Sequence, residues 1–328
     1  MEKSGKIKYS GENLTGIIII ANDEDSKSIK VTISEDIMCK IYSGSSIDSI
    51  DTSKVLLETN IAGTYTLNVP DNIRTYYYVT TPKGNAIMAE KHLPMVGGYN
   101  FRDIGGYRTI DGRYVKWGTF FRSDDMNLLT ESDLYFLSNL HLKTIIDFRS
   151  EEETLSKPDR LPASVINRYV YTIEPGNIVN LLKTTMQPGK QDFHNAMIEI
   201  NRELVTNEHI IEQYCKFFSQ LQKEENIPLL FHCSAGKDRT GLAAALVLSA
   251  LDVDEQTIMQ DYLLSNIYLR DKYDSFITRP EMEPLIKVNT DYLNSALTAI
   301  KEKHGSMENY LSKELNVDIE AFQNKYLY

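Results

Sequence analysis

The sequence predicts an α/β domain, built on a central mostly parallel sheet flanked by helices and preceded by a small all-β sandwich domain. Residues 1 to about 90 hold short β-branched or alternating stretches separated by Gly, Ser, Asn and Asp. After that point, apolar stretches of strand length alternate with helical patterns. The 328 residues are enough for two domains. We therefore place the β-sandwich at residues 1–90 and the α/β domain at residues 91–328.

The first part contains five candidate strands, at residues 17–20, 28–33, 40–42, 63–69 and 75–80. They recur at a spacing of about ten residues, which is typical of a small β-sandwich. The pattern resembles immunoglobulin-like or fibronectin-type modules. Residues 82–85 and 92–94, each with a proline, are expected to lead into the second domain.

The second part, residues 91–328, contains both predicted helices and predicted strands. Helices are predicted over 130–140, 192–223, 240–248, 254–270, 285–303, 306–315 and 318–327, and strands over 144–148, 167–173 and 227–231. The stretch 174–190 is rich in Pro, Gly and Asn. It fits either a lid or substrate-recognition loop, or a passive surface loop.

The stretch FHCSAGKDRTG, residues 231–241, lies between a predicted strand and a predicted helix. Such a turn aims unpaired N–H groups and the positive end of a helix dipole at one point, which suits a phosphate group. The same field favours the thiolate of Cys233, and a thiolate is a nucleophile at neutral pH. Arg239, six residues on, can return its planar fork over the phosphoryl oxygens.

HCSAGKDRTG resembles the phosphate-binding loop HCxxGxxR[ST]G of the cysteine-dependent protein tyrosine phosphatase superfamily, and within it the bacterial tyrosine/serine phosphatase family. NFRDIGG at 100–106, FRS at 121–123 and IIDFRS at 145–150 are similar to further motifs of that family. The resemblance covers roughly residues 91–328. It implies a phosphomonoester hydrolase acting through a phosphocysteine on phosphotyrosine, with dual specificity or phosphoinositides also open.

The resemblance implies Cys233 as nucleophile, Arg239 as transition-state clamp and Asp238 as general acid. The alternative for Asp238 is loop bracing, by accepting backbone N–H bonds or pairing with Arg102. Three other acids stay open as the proton donor: Asp103, Asp147 and Asp192.

A larger set is expected to bind or support the phosphate. The predicted phosphate and substrate residues are Ser234, Ala235, Gly236, Lys237, Thr240, Arg102 and Asp103, with His232 and Asp147 behind them. Several have a plainer interpretation. Lys237 fits a solvated loop lysine, Thr240 a helix N-cap, His232 a core histidine, and Arg102 and Asp103 an ion-paired glycine turn.

The composition narrows the function classes. A net charge of -11 argues against broad nucleic-acid binding. The three cysteines form no disulfide framework, and neither a metal nor a cofactor is expected from their spacing. No apolar run approaches the roughly eighteen residues of a membrane span, so we expect a cytoplasmic protein, or a secreted one if a leader has been removed.

Two functions from different classes are compatible with the motifs. The first is the hydrolase, whose substrate is a phosphorylated protein or a phosphoinositide. The second is a phosphate-dependent binding module with vestigial catalysis. Binding modules of this kind usually lose the cysteine or the arginine, and both are present. In either case the N-terminal domain is a candidate docking element for a protein partner.

Overall fold

The structure, a computed structural model of the chain, describes residues 7–22, 28–70, 73–174, 192–276 and 280–328. Apart from residue 174, the stretch 174–190 predicted as a lid or loop lies outside these ranges. No helix within the described ranges is both long enough and apolar enough to cross a bilayer.

The N-terminal part is all antiparallel. Its strands are β1 Ser10–Gly11, β2 Ile18–Asn22, β3 Ile29–Ile33, β4 Cys39–Gly44, β5 Leu57–Thr59, β6 Gly63–Leu67, β7 Tyr76–Thr81 and β8 Gly84–Met88. They form a five-stranded sheet in the order β1-β8-β7-β4-β5 and a three-stranded sheet in the order β2-β3-β6. Ile20 and Val31 of the smaller sheet and Ile41 and Val79 of the larger one belong to a single buried cluster. The two sheets therefore enclose one apolar core between them.

One boundary signal in this part was misread from the sequence. Residues 82–85 were expected to lead out of the β region, but residues 82–83 form the turn of a hairpin between β7 and β8, and residues 84–85 begin β8. Pro and Gly favour a tight turn both inside a sheet and at its end, so the turn within the hairpin was taken for the end of the β region. Strand β8 was missed for the same reason.

The second part is built on a five-stranded sheet. Its strands are β9 Arg102–Asp103, β10 Phe120–Ser123, β11 Thr144–Asp147, β12 Asn167–Val170 and β13 Leu229–His232, in the order β12-β11-β13-β10-β9. All pairs are parallel except β9 with β10. The mostly parallel sheet is therefore confirmed. Strand β13 lies between β10 and β11 and is fully buried, which accounts for its continuous apolar run.

The carboxyl ends of β10, β11 and β13 lie side by side, and their position indicates where a ligand can bind. Ser123 of β10 and Asp147 of β11 both lie in register with His232, the last residue of β13. The residues that follow these strands therefore emerge at one edge of the sheet, the edge at which open α/β sheets bind ligands.

Helices surround the sheet. They are α1 Glu131–Asn139, α2 Glu151–Ser156, α3 Phe193–Thr206, α4 Glu208–Leu221, α5 Arg239–Ala250, α6 Glu255–Tyr268, α7 Arg270–Tyr273, α8 Glu283–Ile286, α9 Thr290–His304, α10 Met307–Asn309 and α11 Ile319–Tyr326.

Two predicted helices are interrupted, and a third changes from α-helical to π-helical geometry. The region 192–223 divides at Asn207, whose side chain accepts the N–H groups of the next helix. The region 285–303 divides before Asn289, which caps α9 in the same way. Residues 306–315 continue from α10 into one π-helical turn at Tyr310–Glu314. Capping by asparagine is compatible with a helical pattern on both sides, so periodicity alone did not locate the breaks.

Candidate active site

The loop between β13 and α5 holds Cys233 in a buried position. The thiol is 3% exposed, and the Gly236 N–H donates to its sulfur at 3.3 Å. Gly236 has a φ of +67°, and an added Cβ would lie 2.2 Å from the Ser123 carbonyl oxygen. Only glycine fits here, because a side chain would be strained by the backbone and would meet another strand.

Two side chains hold the outer surface of this loop. The Asn100 amide donates to the carbonyls of Ala235 and Gly236, both at 3.1 Å, and Arg122 donates to the Gly236 carbonyl at 2.7 Å. In a trans peptide the C=O and N–H groups point in opposite directions. Carbonyls held outward therefore turn the following N–H groups inward, as the contact between Gly236 and the Cys233 sulfur illustrates.

Asp261 of α6 lies beneath the loop and joins two arginines. Arg122 donates to one carboxylate oxygen at 2.7 Å and Arg102 to the other at 3.2 Å. Burial would raise the pKa of Asp261, but Arg102 and Arg122 outweigh it and hold that pKa below its ordinary value. The carboxylate is therefore charged, and it fixes both guanidinium groups. Sequence reasoning missed Asp261, which carries no local motif within its helix.

Arg102 and Asp103 were predicted to contact substrate, and the structure places them elsewhere. Both side chains are fully buried. Arg102 lies below the loop against Asp261, and the Asp103 carboxylate accepts the N–H groups of Gly105 and Gly118 at 2.7 Å. Their positions match the alternative of a braced glycine turn, because neither side chain is open to a bound molecule.

Arg239, at the start of α5, is fixed by Glu153. Its two terminal nitrogens donate to the two carboxylate oxygens at 2.8 and 2.9 Å. Ser234 donates to the same carboxylate at 2.5 Å. Glu153 also accepts the Ser150 N–H in the capping box of α2. Burial would raise the pKa of Glu153, but Arg239 and Ser234 lower it to about 2.

Glu153 is the second functional residue that sequence reasoning missed. The signal that could have found it is the S-x-x-E pattern of a capping box, which follows directly on strand β11 and its loop. That pattern fixes the carboxylate at a helix start on the active edge of the sheet. It does not reveal that the carboxylate faces Arg239.

The remaining polar groups of the loop differ in their partners. The Lys237 ammonium donates to the Leu285 carbonyl at 2.8 Å and lies 3.6 Å from the Asp238 carboxylate, so Lys237 is buried and not solvated. Asp238 stands at the N-cap position of α5, but its side chain makes no capping hydrogen bond, and the carboxylate paired with Arg102 is that of Asp261. Among the described residues, one buried Asp238 oxygen and the Thr240 hydroxyl have no hydrogen-bond partner.

His232 is the last residue of β13 and directly precedes Cys233. Its Nδ1 is 3.3 Å from the Cys233 carbonyl oxygen, and its Nε2 is 3.4 Å from Asp159. Burial favours the neutral ring, but the charges of Asp147 and Asp159 outweigh it and raise the pKa of His232. A protonated His232 places positive charge next to Cys233.

Asp147, Asp159 and His232 have ligand atoms within 4.8 Å of one another, a spacing that could hold a metal ion. Arg149, however, donates to both carboxylates at 2.8 and 2.6 Å, and Arg168 lies 3.3 Å from each. Two guanidinium groups already neutralise this donor set, so its chemistry fits an ion-pair network.

The other candidate acids do not reach the loop. Asp147 is fully buried in this ion-pair network, and Asp103 lies beside Gly118. Asp192 caps α3, where its carboxylate accepts the N–H of Asn195 at 3.0 Å. Of the four acids considered from the sequence, only Asp238 is in the loop that holds Cys233.

Fold and site together define a cysteine-dependent protein tyrosine phosphatase. The chain belongs to the tyrosine phosphatase family, whose model matches residues 93–328.

Three named relatives are similar to the chain. A tyrosine-protein phosphatase of Cupriavidus necator is 31% identical over 239 residues, covering 70% of this chain and 85% of the relative. The triple specificity protein phosphatase PtpB of Mycobacterium tuberculosis is 25% identical over 267 residues, covering 68% and 93%. A tyrosine-protein phosphatase of Nostoc commune is 30% identical over 150 residues, covering 46% and 49%.

Two solved structures also align with the chain. TpbA of P. aeruginosa gives a TM-score of 0.31 at 15% identity, covering 65% of this chain and 89% of that one. The core catalytic domain of the PP-IP phosphatase SIW14 of S. cerevisiae gives 0.30 at 16% identity, covering 56% and 93%.

Proposed function

We propose that the chain hydrolyses phosphomonoesters through a phosphocysteine formed at Cys233. The observation that carries this proposal is the buried Cys233 sulfur at the centre of a loop whose Gly236 amide points at it. In the first step a sulfur–phosphorus bond forms while the bond from phosphorus to the leaving oxygen breaks. In the second step water attacks phosphorus, and the thiolate is released.

Arg239 holds the equatorial phosphoryl oxygens in this proposal. Its planar fork suits two parallel hydrogen bonds, and Glu153 fixes the plane of the guanidinium before substrate arrives. The amides of Ser234, Ala235, Gly236 and Lys237 complete the cradle. We assign to Thr240, whose hydroxyl is buried without a partner among the described residues, the donation of a hydrogen bond to the sulfur as the phosphocysteine breaks down.

Asp238 donates the proton to the leaving oxygen. Its unsatisfied carboxylate oxygen supports this role over loop bracing, because a bracing carboxylate would accept backbone N–H groups or pair with Arg102. Proton transfer matters most when the leaving oxygen is a poor leaving group.

The proposed substrates are phosphotyrosine in proteins, phosphoserine, and phosphoinositides. The mixed set is supported by the relative named as a triple specificity phosphatase and by Lys237, a second cation in the loop. A panel of phosphopeptides and phosphoinositide vesicles, scored for released phosphate, would rank them. Retention of a phosphopeptide without phosphate release would favour the binding-module alternative.

Two further parts of the proposal concern the setting of the enzyme. We take residues 1–90 as an immunoglobulin- or fibronectin-like β-sandwich domain, since both of its sheets line one core. We also propose a reducing compartment such as the cytoplasm, because Cys39, Cys215 and Cys233 are all free thiols. Oxidation of Cys233 would remove the nucleophile.

A further inference from the structure

A buried ion pair joins the N-terminal β region to the sheet that carries the site. Arg74, just before β7, lies 2.9 Å from the Asp103 carboxylate of β9, and the two side chains are 2% and 0% exposed. A second nitrogen of Arg74 donates to the Glu90 carbonyl at 2.9 Å. A charge buried this deeply needs its partner, because water cannot replace it.

Strand β9 is held from both faces. Successive side chains of a strand point to opposite faces, so Arg102 and Asp103 extend in opposite directions. On one face, Asp103 meets Arg74 and accepts the Gly118 N–H at 2.7 Å. On the other face, Arg102 meets Asp261 of α6. The position of this two-residue strand therefore depends on Arg74 as well as on Asp261.

The strand in turn sets the position of the phosphate loop. The Arg102 guanidinium donates to the side-chain oxygen of Asn100, and the Asn100 amide donates to the carbonyls of Ala235 and Gly236 at 3.1 Å. These carbonyls turn the loop N–H groups toward the bound anion. A shift of β9 would therefore be transmitted to the amides through two hydrogen-bonded steps.

We propose that Arg74 is a positioning residue for the phosphate loop, so that the β region and the phosphatase region form one catalytic unit. Arg74 acts through Asp103, β9 and Asn100, and touches neither the substrate nor Cys233. This inference rests on the proposed function, because it assumes that the loop binds a phosphoryl group. It gives the N-terminal region a role that requires no protein partner.

The test compares three full-length variants. Arg74→Met removes the charge but keeps a long side chain against the neighbouring rings, and Arg74→Lys keeps the charge without the fork. Tyr9→Phe is the control. It removes a hydroxyl that accepts from Trp117 at 3.2 Å across the same interface, and it leaves Asp103 untouched. The readouts are the inhibition constant of vanadate and kcat/KM for an aryl phosphate, below the melting temperature of each variant.

Arg74→Met should bind vanadate about tenfold more weakly and Arg74→Lys about threefold, whereas Tyr9→Phe should match the parent. Parental vanadate affinity in a folded Arg74→Met protein would overturn the inference. If Arg74→Met does not fold, parental affinity in Arg74→Lys would overturn it equally. A parent enzyme that does not bind vanadate would instead contradict the proposed function.

Discussion

Arg239 and Glu153 form a two-pronged ion pair across the mouth of the phosphate loop, with nitrogen-to-oxygen distances of 2.8 and 2.9 Å. Under the proposed function, the pair sets the plane of the guanidinium before the phosphoryl group arrives. If the arginine side chain became ordered only when the phosphoryl group bound, the loss of side-chain entropy would weaken binding.

Glu153→Gln should lower kcat/KM for an aryl phosphate by about tenfold. Glutamine still caps α2, so the helix is kept, but it offers one acceptor where the carboxylate offered two. Glu152→Gln, on the exposed side of the same helix, is the matched control and should behave like the parent. Equal activity of Glu153→Gln and the parent would show that Glu153 is not needed to orient Arg239.

The same pair predicts a pH dependence of stability. The pKa of Glu153 is about 2 in the folded protein, below its ordinary value of 4.5, so the pair stabilises the fold fully above about pH 4.5. That contribution is lost as the pH falls toward 2. Calorimetry should find that the melting temperatures of the parent and Glu153→Gln differ at pH 6 and converge as the pH falls. A difference independent of pH would contradict the assignment.

Arg239→Lys should reduce kcat for every substrate by about a hundredfold or more, because a point charge cannot make the two parallel contacts of a fork. The loop amides remain in place, so phosphate should still bind weakly. Steady-state kinetics together with vanadate inhibition would separate the two effects. Near-parental turnover would show that Arg239 contributes only its positive charge and not the planar shape of its guanidinium.

Asp238→Asn should slow hydrolysis of an alkyl phosphate, such as phosphoserine, far more than hydrolysis of an activated aryl phosphate. An activated aryl oxygen leaves without a proton, whereas an alkyl oxygen needs one. The parent's loss of activity on the alkaline side should also disappear in the variant. Equal losses on both substrates, with an unchanged pH profile, would return Asp238 to loop bracing and reopen the choice of acid.

The sequence was enough to predict the candidate catalytic residues, but not the residues that hold them in position. Cys233 and Asp238 lie in one short loop and Arg239 begins the helix that follows it, so a strand before the loop and a helix after it were enough to bring the three together. Glu153 reaches Arg239 across 86 residues, and Asp261 reaches Arg102 across 159. Contacts at such separations depend on how the sheet is ordered, which neither propensity nor periodicity specifies.

The secondary structure was likewise predicted only in part. Strand and helix types were predicted well where a continuous apolar run marked the element, as in β13 and α5. Breaks such as Asn207 were missed, because the cap of one helix also suits the pattern of the helix before it. Arg102 and Asp103 were assigned to substrate binding on the family resemblance, whereas a charged pair beside glycines also fitted a glycine turn closed by an ion pair. Only the packing reveals that both are enclosed.

Mutation of the nucleophile gives a separate prediction. Cys233→Ser should lose at least about a thousandfold in turnover, because a hydroxyl is a far poorer nucleophile than a thiolate at neutral pH. Phosphate and vanadate should still compete for its loop, since the amides and Arg239 are unchanged. Hydrolysis near the parental rate would point to a different nucleophile.

The central claim is the covalent intermediate, and the most direct measurement is its capture. The parent enzyme is mixed with an excess of aryl phosphate, quenched in acid within the first turnovers, digested and analysed by mass spectrometry. Cys233→Ser serves as the blank. A phosphoryl group is expected on the peptide that contains Cys233, and on that cysteine alone. A burst of product with the phosphoryl group on another residue, or turnover with no labelled peptide under conditions where phosphocysteine survives, would contradict it.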